Sequence, residues 1–305
     1  MHAWDDEVAP REAPVLHRLA RRLEEYLRLM RLDRPIGIWL LLWPTLWALW
    51  VAGNGRPDPR VLLVFVLGTA VMRSAGCIVN DFADRNVDPH VRRTRARPLA
   101  ARRVTPTEAL LLFLGLLGVA LWLVTRLDAF TLRLACVGAV LTVSYPFLKR
   151  SFALPQLYLA LAFSWGVPMA FAALLGVLPR VAWVMFVATI LWVTIYDTLY
   201  AMVDREDDLK IGVNSSAIVF ADMDRLIVAA LQLTMLLALA LMGRSLRFDN
   251  AYLGALAAVT VFFIYQQWLI RAREPAACLR AFLNNHYVGM AIFIGIVLEF
   301  IYRMP

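Results

Sequence analysis

Two short acidic runs place groups that do chemistry at regular helical spacing. The first, NDFADRNVD, carries Asn80, Asp81, Asp84 and Asp88. The second, YDTLYAMVDREDD, carries Tyr196, Asp197, Tyr200, Asp204 and Asp208. On a helix turning about 100° per residue, positions 80, 84 and 88 lie within about 80° of one another, with Asp81 beside them. Tyr196, Tyr200, Asp204 and Asp208 recur at intervals of four and form one stripe, and Asp197, seven before Asp204, shares its face. Two carboxylates forced together respond by one keeping its proton. Four or five brought together instead favour a divalent cation. Mg²⁺ takes oxygen ligands and is held by one or two carboxylates plus substrate phosphates. The pattern therefore predicts a receptor for a metal-bound diphosphate. Taken singly, each run also reads as a solvated loop paired with Arg85, Arg92, Arg93 or Lys210; the matched pair favours a site.

Cationic residues flank both runs. The loop RRTRARPLAARR, residues 92–103, follows the first, and Lys149 and Arg150 close the segment YPFLKR. Arginine binds phosphate oxygens in bidentate geometry, which suits a departing diphosphate. The excess of basic residues in the loops of a membrane protein accounts for any one of them equally well. Arg73 is different. It lies seven residues before Asn80, on the same helical face and about two turns deeper, within an apolar run. An arginine there needs an anionic partner. An anionic aromatic substrate and Asp197 are the two candidates.

The elements that position these residues are membrane helices. Of 305 residues, 61% are hydrophobic, and the mean hydropathy is +0.65. A soluble domain is nearer half apolar. Residues 15–32 set Leu16, Leu19, Leu23, Leu27 and Met30 on one face against Arg and Glu on the other, an interfacial helix on the bilayer surface. Nine spans are predicted after it, over 36–53, 61–80, 108–125, 131–147, 154–176, 181–200, 224–242, 250–270 and 286–302. Residues 1–35 thus form a tail and interfacial helix, and 36–305 a nine-helix domain. The segments on the N-terminal side of the membrane hold 22 Lys and Arg, counting Arg225 at the edge of the seventh span, against 8 on the other. That asymmetry predicts a cytoplasmic N-terminus, both acidic motifs at the cytoplasmic face and an external C-terminus. The first 14 residues lack the apolar core of a cleavable signal. The net charge of +8 resides mostly in loops, so no nucleic-acid partner is expected. The three cysteines, Cys77, Cys136 and Cys278, show no metal-site spacing.

The segments LDRPIG, MRSAGCIVNDFADRNVD, RTRARPLA, YPFLKR, GVPMAFAA, YDTLYAMVDREDDLKIG, YQQ and NNHYVG resemble the UbiA superfamily of intramembrane aromatic prenyltransferases over residues 30–290. The flanking segments are most similar to its bacterial 4-hydroxybenzoate branch, in ubiquinone biosynthesis. The resemblance implies an all-α, nine-helix membrane fold around a central cavity in a bacterial inner membrane. It implies a Mg²⁺ cofactor and two substrates, polyprenyl diphosphate and 4-hydroxybenzoate, with the prenyl tail in a groove open to lipid. The family's metal–diphosphate positions fall on Asn80, Asp84, Asp88, Asp204 and Asp208, and Asp81 matches the motif. Asn86 and Asn214 stand where relatives often have Lys.

On that reading the allylic diphosphate ionises against metal and basic groups, with Asp84, Asp204, Lys149, Arg150 and Lys210 serving the leaving group. Aromatic faces shield the allylic cation, the candidates being Phe82, Tyr145, Trp165, Tyr196 and Tyr200. Asp197 activates or orients the phenol. Arg73 or Arg34 holds the benzoate carboxylate. Other acceptors (homogentisate, naphthoate or haem), a transporter and a structural subunit are the rival readings. Transporter acids lie near the bilayer midplane, whereas these lie at span ends on one side.

Overall fold

The computed structural model describes residues 15–91, 94–149, 152, 154–212 and 215–303. Twelve α-helices appear among them, joined by turns and short 3₁₀ segments, and there is no strand among the described residues. Helix α1 is Val15–Leu29, α2 Ile36–Ala52, α3 Pro59–Asp84, α4 Pro106–Val124, α5 Ala129–Leu148 and α6 Pro155–Ser164. Helix α7 is Gly166–Leu175, α8 Arg180–Ile211, α9 Ser216–Val219, α10 Asp224–Ser245, α11 Asn250–Leu269 and α12 Pro275–Arg303.

Eight of the described helical segments, with α6 and α7 taken as one, are long and apolar enough to cross a bilayer. The remaining expected span falls on α2, which is apolar but has 17 residues. At 1.5 Å per residue it reaches about 26 Å, slightly less than the roughly 30 Å of hydrocarbon. The chain is a multi-pass membrane protein, and its regular structure among the described residues is helical.

Local chemistry fixes where the helices begin. Asp58 caps α3 by accepting from the Arg60 amide at 2.7 Å, with Pro59 in the first helical position. Thr105 and Glu108 form a reciprocal capping box at α4: the Glu108 amide donates to Thr105 Oγ1 at 3.2 Å, and the Thr105 amide to Glu108 Oε2 at 2.8 Å. Asp128 caps α5 through the amides of Phe130 and Thr131, at 2.8 and 3.0 Å. The span expected over 154–176 breaks at Trp165 into α6 and α7. Pro168 has no amide to donate back into α6, and Trp165 Nε1 instead donates to the Leu134 carbonyl at 2.7 Å.

Helix α8 is the centre of the bundle. It packs on α6, α10 and α12, and among the eight long spans it is the most enclosed. Between α2, α8 and α12, Trp47 and Trp192 meet with ring centroids 5.2 Å apart. Trp192 Nε1 donates to Asn285 Oδ1 at 3.0 Å, and Trp47 Nε1 to the Gly289 carbonyl at 3.0 Å. Amides join α10, α11 and α12: Gln232 donates to Gln266 at 2.9 Å, and Gln266 to Asn284 at 3.0 Å. Polar groups in a bilayer are kept where protein, not lipid, surrounds them.

Candidate active site

The first acidic motif ends α3. Asn80, Asp81 and Asp84 are its last turns, while Asp88 lies beyond it in a 3₁₀ turn, Asp88–His90. The expected stripe through 80, 84 and 88 is therefore helical only as far as Asp84. The turn is pinned in two ways: Thr94 Oγ1 donates to the Asp88 carbonyl at 3.0 Å, and Arg97 Nη1 to the Asp88 carboxylate at 2.9 Å. Burial pushes the Asp88 carboxyl upward, and Arg97 opposes that shift.

Within the motif the carboxylates separate into two environments. Asp81 is 1% exposed and sits in a cage of guanidinium groups. Arg31 Nη2 donates to both its oxygens, at 2.9 and 2.8 Å, and Arg97 Nη1 to one of them at 3.1 Å. Asp81, expected among the metal ligands, has both oxygens committed to this ion-pair cage. Asp84 and Asn80 turn instead toward α5. Lys149, the first residue beyond α5, donates to Asn80 Oδ1 at 3.0 Å and ion-pairs with Asp84.

Lys149 links this end of α3 to α8. Asp197 lies within electrostatic range of Arg73, Lys149 and Asp204. Tyr145 lies within range of Asp197, Asp84 and Arg73, and Tyr196 within range of Asp197 and Arg73. The fold thus brings Arg73, Asp84, Tyr145, Lys149, Tyr196, Asp197 and Asp204 into one neighbourhood. Helix α8 has 32 residues, so it runs about 48 Å and extends past the hydrocarbon. Asp204 and Asp208, near its C-terminal end, are half-buried, and Gly212 closes the helix in the left-handed region at φ +69°.

The aromatic candidates divide the same way. Tyr145 stacks on Tyr158 with centroids 6.3 Å apart. Tyr196 is buried among Trp192 and Phe282, and its hydroxyl finds no partner among the described residues. Tyr200 packs on the same Phe282 ring, at 4.8 Å. Phe82 belongs instead to a cluster under α1 and α4, with the Arg85 guanidinium 4.5 Å above its ring. Trp165 is a packing residue against Gly138 and Phe186.

Two basic candidates, Arg34 and Lys210, are exposed and pair elsewhere. Arg34 is exposed and pairs with its neighbour Asp33 at 3.7 Å. Lys210 is exposed and pairs with Asp207 at 3.4 Å, on the outer face of α8. Arg150 and Asn214 lie outside the described residues. Asn86 is exposed. Arg31 and Arg97 were not singled out individually by sequence reasoning. Nothing in local spacing pairs residue 31 with residue 81; only the docking of α1 does.

Among the described residues no three Asp, Glu, His or Cys side chains stand close enough to hold a metal by themselves. The donor set at the ends of α3 and α8 nevertheless suits a hard cation. Every donor is oxygen, and the Lys149 ammonium rests between Asn80 and Asp84, where positive charge is stabilised. A site with so few protein carboxylates at one point needs phosphate oxygens to complete its shell.

The family model described as the UbiA prenyltransferase family matches residues 41–296. A protein from Methylococcus capsulatus called 4-hydroxybenzoate octaprenyltransferase is 54% identical over 288 residues, covering 94% of this chain and 99% of its own length. One of the same name from Nitrosococcus oceani is 56% identical over 283 residues, covering 93% of this chain and 99% of its own. Among solved structures, the fold resembles the apo structure of a UbiA homolog from Aeropyrum pernix K1, with TM-score 0.74, 20% identity and 86% and 97% of the two chains covered. It also resembles a UbiA homolog from Archaeoglobus fulgidus bound to GPP and Mg²⁺, with TM-score 0.73, 16% identity and 91% and 99% covered. The matched residues include both acidic helix ends and the lysine between them, and the chain belongs to the UbiA prenyltransferase family.

Proposed function

We propose that this chain transfers a polyprenyl group from polyprenyl diphosphate to the ring carbon ortho to the hydroxyl of 4-hydroxybenzoate, in ubiquinone biosynthesis. The observation that carries the reading is the convergence of Arg73, Tyr145, Asp84, Lys149, Asp197 and Asp204 inside a membrane bundle. An anion-binding group, a phenol-facing acid and a diphosphate receptor are what this reaction needs together. The close relatives that bear the name of that enzyme support the acceptor.

In this reading Asn80, Asp84, Asp88, Asp204 and Asp208 hold Mg²⁺, which, when bound, offsets the charge of the diphosphate. Lys149 leaves its pairing with Asp84 for the diphosphate oxygens as the allylic C–O bond breaks and the electron pair departs with the leaving group. Tyr145 and Tyr196 present aromatic faces to the allylic carbon and keep water from it. Arg73 holds the benzoate carboxylate. Asp197 accepts or orients the phenolic hydrogen as the ring carbon bonds to the allylic carbon, and the ring proton then passes to the departed diphosphate, restoring the aromatic ring.

The protein lies in the bacterial inner membrane with its N-terminus and both acidic helix ends at the cytoplasmic face. The charge asymmetry supports this orientation. Residues 1–35 form a peripheral unit and 36–305 the catalytic bundle. Leu16, Leu19 and Leu23 stand exposed on α1, an apolar face that suits the membrane surface. The deciding experiment incubates membranes with labelled 4-hydroxybenzoate and a polyprenyl diphosphate, with and without Mg²⁺, beside Asp84→Ala. Mg²⁺-dependent product absent in the variant is expected. Product only with naphthoate or homogentisate would move the chain to another branch of the family.

A further inference from the structure

We propose that Gly37 is a positioning residue for the aromatic acid: its missing side chain is the recess in which the Arg73 guanidinium sits. The inference rests on the reading that Arg73 receives the substrate carboxylate. Gly37 lies buried in the first turn of α2, in the segment LDRPIG. Its backbone is not in the left-handed region, so conformational freedom does not call for glycine there. Space does. A Cβ on Gly37 would fall 2.3 Å from Arg73 Nε, 2.5 Å from Nη2 and 2.8 Å from Cζ. No other glycine in the described chain has its Cβ volume filled by a charged group.

The guanidinium is held by walls more than by bonds. The α2 backbone closes one side, and the Phe163 ring lies 5.6 Å from Cζ. The Nε–H is buried and meets no acceptor among the described residues. A buried donor without an acceptor is poised for an incoming anion. The head of a long arginine side chain yields when its recess is filled. An alanine at 37 therefore leaves α2 helical and pushes the guanidinium out of register with the carboxylate it is to meet. The acidic helix ends, two turns away on α3, keep their geometry.

The test is steady-state kinetics on membranes carrying Gly37→Ala, Gly37→Ser, Arg73→Ala, Arg73→Lys and the Gly37→Ala/Arg73→Lys double variant, with size-exclusion profiles as the folding control. For Gly37→Ala and Gly37→Ser the KM for 4-hydroxybenzoate should rise about tenfold, and the KM for the polyprenyl diphosphate should stay within about twofold. Preference for 4-hydroxybenzoate over 4-hydroxybenzamide as a competitor should collapse, because the amide never needed the guanidinium. In the Arg73→Lys background the added alanine should cost less than about twofold, since the slimmer ammonium leaves the recess free. Fully additive effects, or equal rises in both KM values, would make Gly37 a packing residue and overturn the proposal. Unchanged KM in both Gly37 variants beside a raised KM in Arg73→Ala would overturn it and leave the Arg73 reading standing. Unchanged KM in Arg73→Ala as well would remove both.

Discussion

Asp81 and Asp84, three residues apart on one helix, do different work. Asp81 has both oxygens taken by Arg31 and Arg97, whereas Asp84 shares Lys149 with Asn80. Removing one member of a buried ion pair leaves the others uncompensated, so Asp81→Asn should cost about 3 kcal/mol, read as a lowered Tm in detergent. Asp84→Asn leaves Lys149 its bond to Asn80, so it should cost less stability than Asp81→Asn, about 1–2 kcal/mol, and lower turnover about 100-fold or more. A catalytically normal Asp84→Asn protein would remove that residue from the diphosphate site. Asp197→Asn should lower turnover about 100-fold with little change in either KM. Full turnover in that variant would end its assignment to the phenol.

At the level of elements, the loop after the first motif is held from both ends. Its start is tied by Arg97 to Asp88, and its end enters the α4 capping box, whose Glu108 also accepts from Tyr26 of α1 at 2.9 Å. Arg103 reaches Glu25 of α1 at 2.9 Å. Helix α1 therefore braces this loop. Glu108→Ala removes the cap and the tie to α1 together and should lower stability by about 1–2 kcal/mol, seen in thermal unfolding. Glu108→Gln keeps the box and should lose less than half of that. Equal losses in the two variants would show that charge, not capping, is the larger contribution.

The whole molecule sets sidedness and metal use. On the proposed orientation both acidic motifs end their helices at one face of the bilayer, and the proposed active site opens to one compartment. Reporter fusions after Arg103 should be cytoplasmic, and fusions after Leu127 external. The reverse pattern would invert the proposed orientation. Treatment of membranes with a chelator should abolish transfer, and added Mg²⁺ should restore it. Persistence of product after chelation would exclude a metal-held diphosphate.

How much of this was legible beforehand differs residue by residue. Span positions were readable, because lipid demands about 20 apolar residues in a row and leaves little else possible. So were the two acidic runs, because carboxylates at helical spacing beside apolar runs are costly enough to stand out. The break at Trp165 was not located, although Pro168 and Gly166 were visible inside the span. The sequence by itself determined the membrane class, the helices, the residue types at the site and the family. Only the tertiary structure decided that Asp81 belongs to an arginine cage, that Arg34 and Lys210 point away, and that Gly37 makes room for Arg73. The Asp81 and Gly37 outcomes depend on partners 16 to 50 residues distant in the chain, with Asp81–Arg97 and Asp81–Arg31 at the two extremes. Helical periodicity says which residues share a face, but not what that face meets.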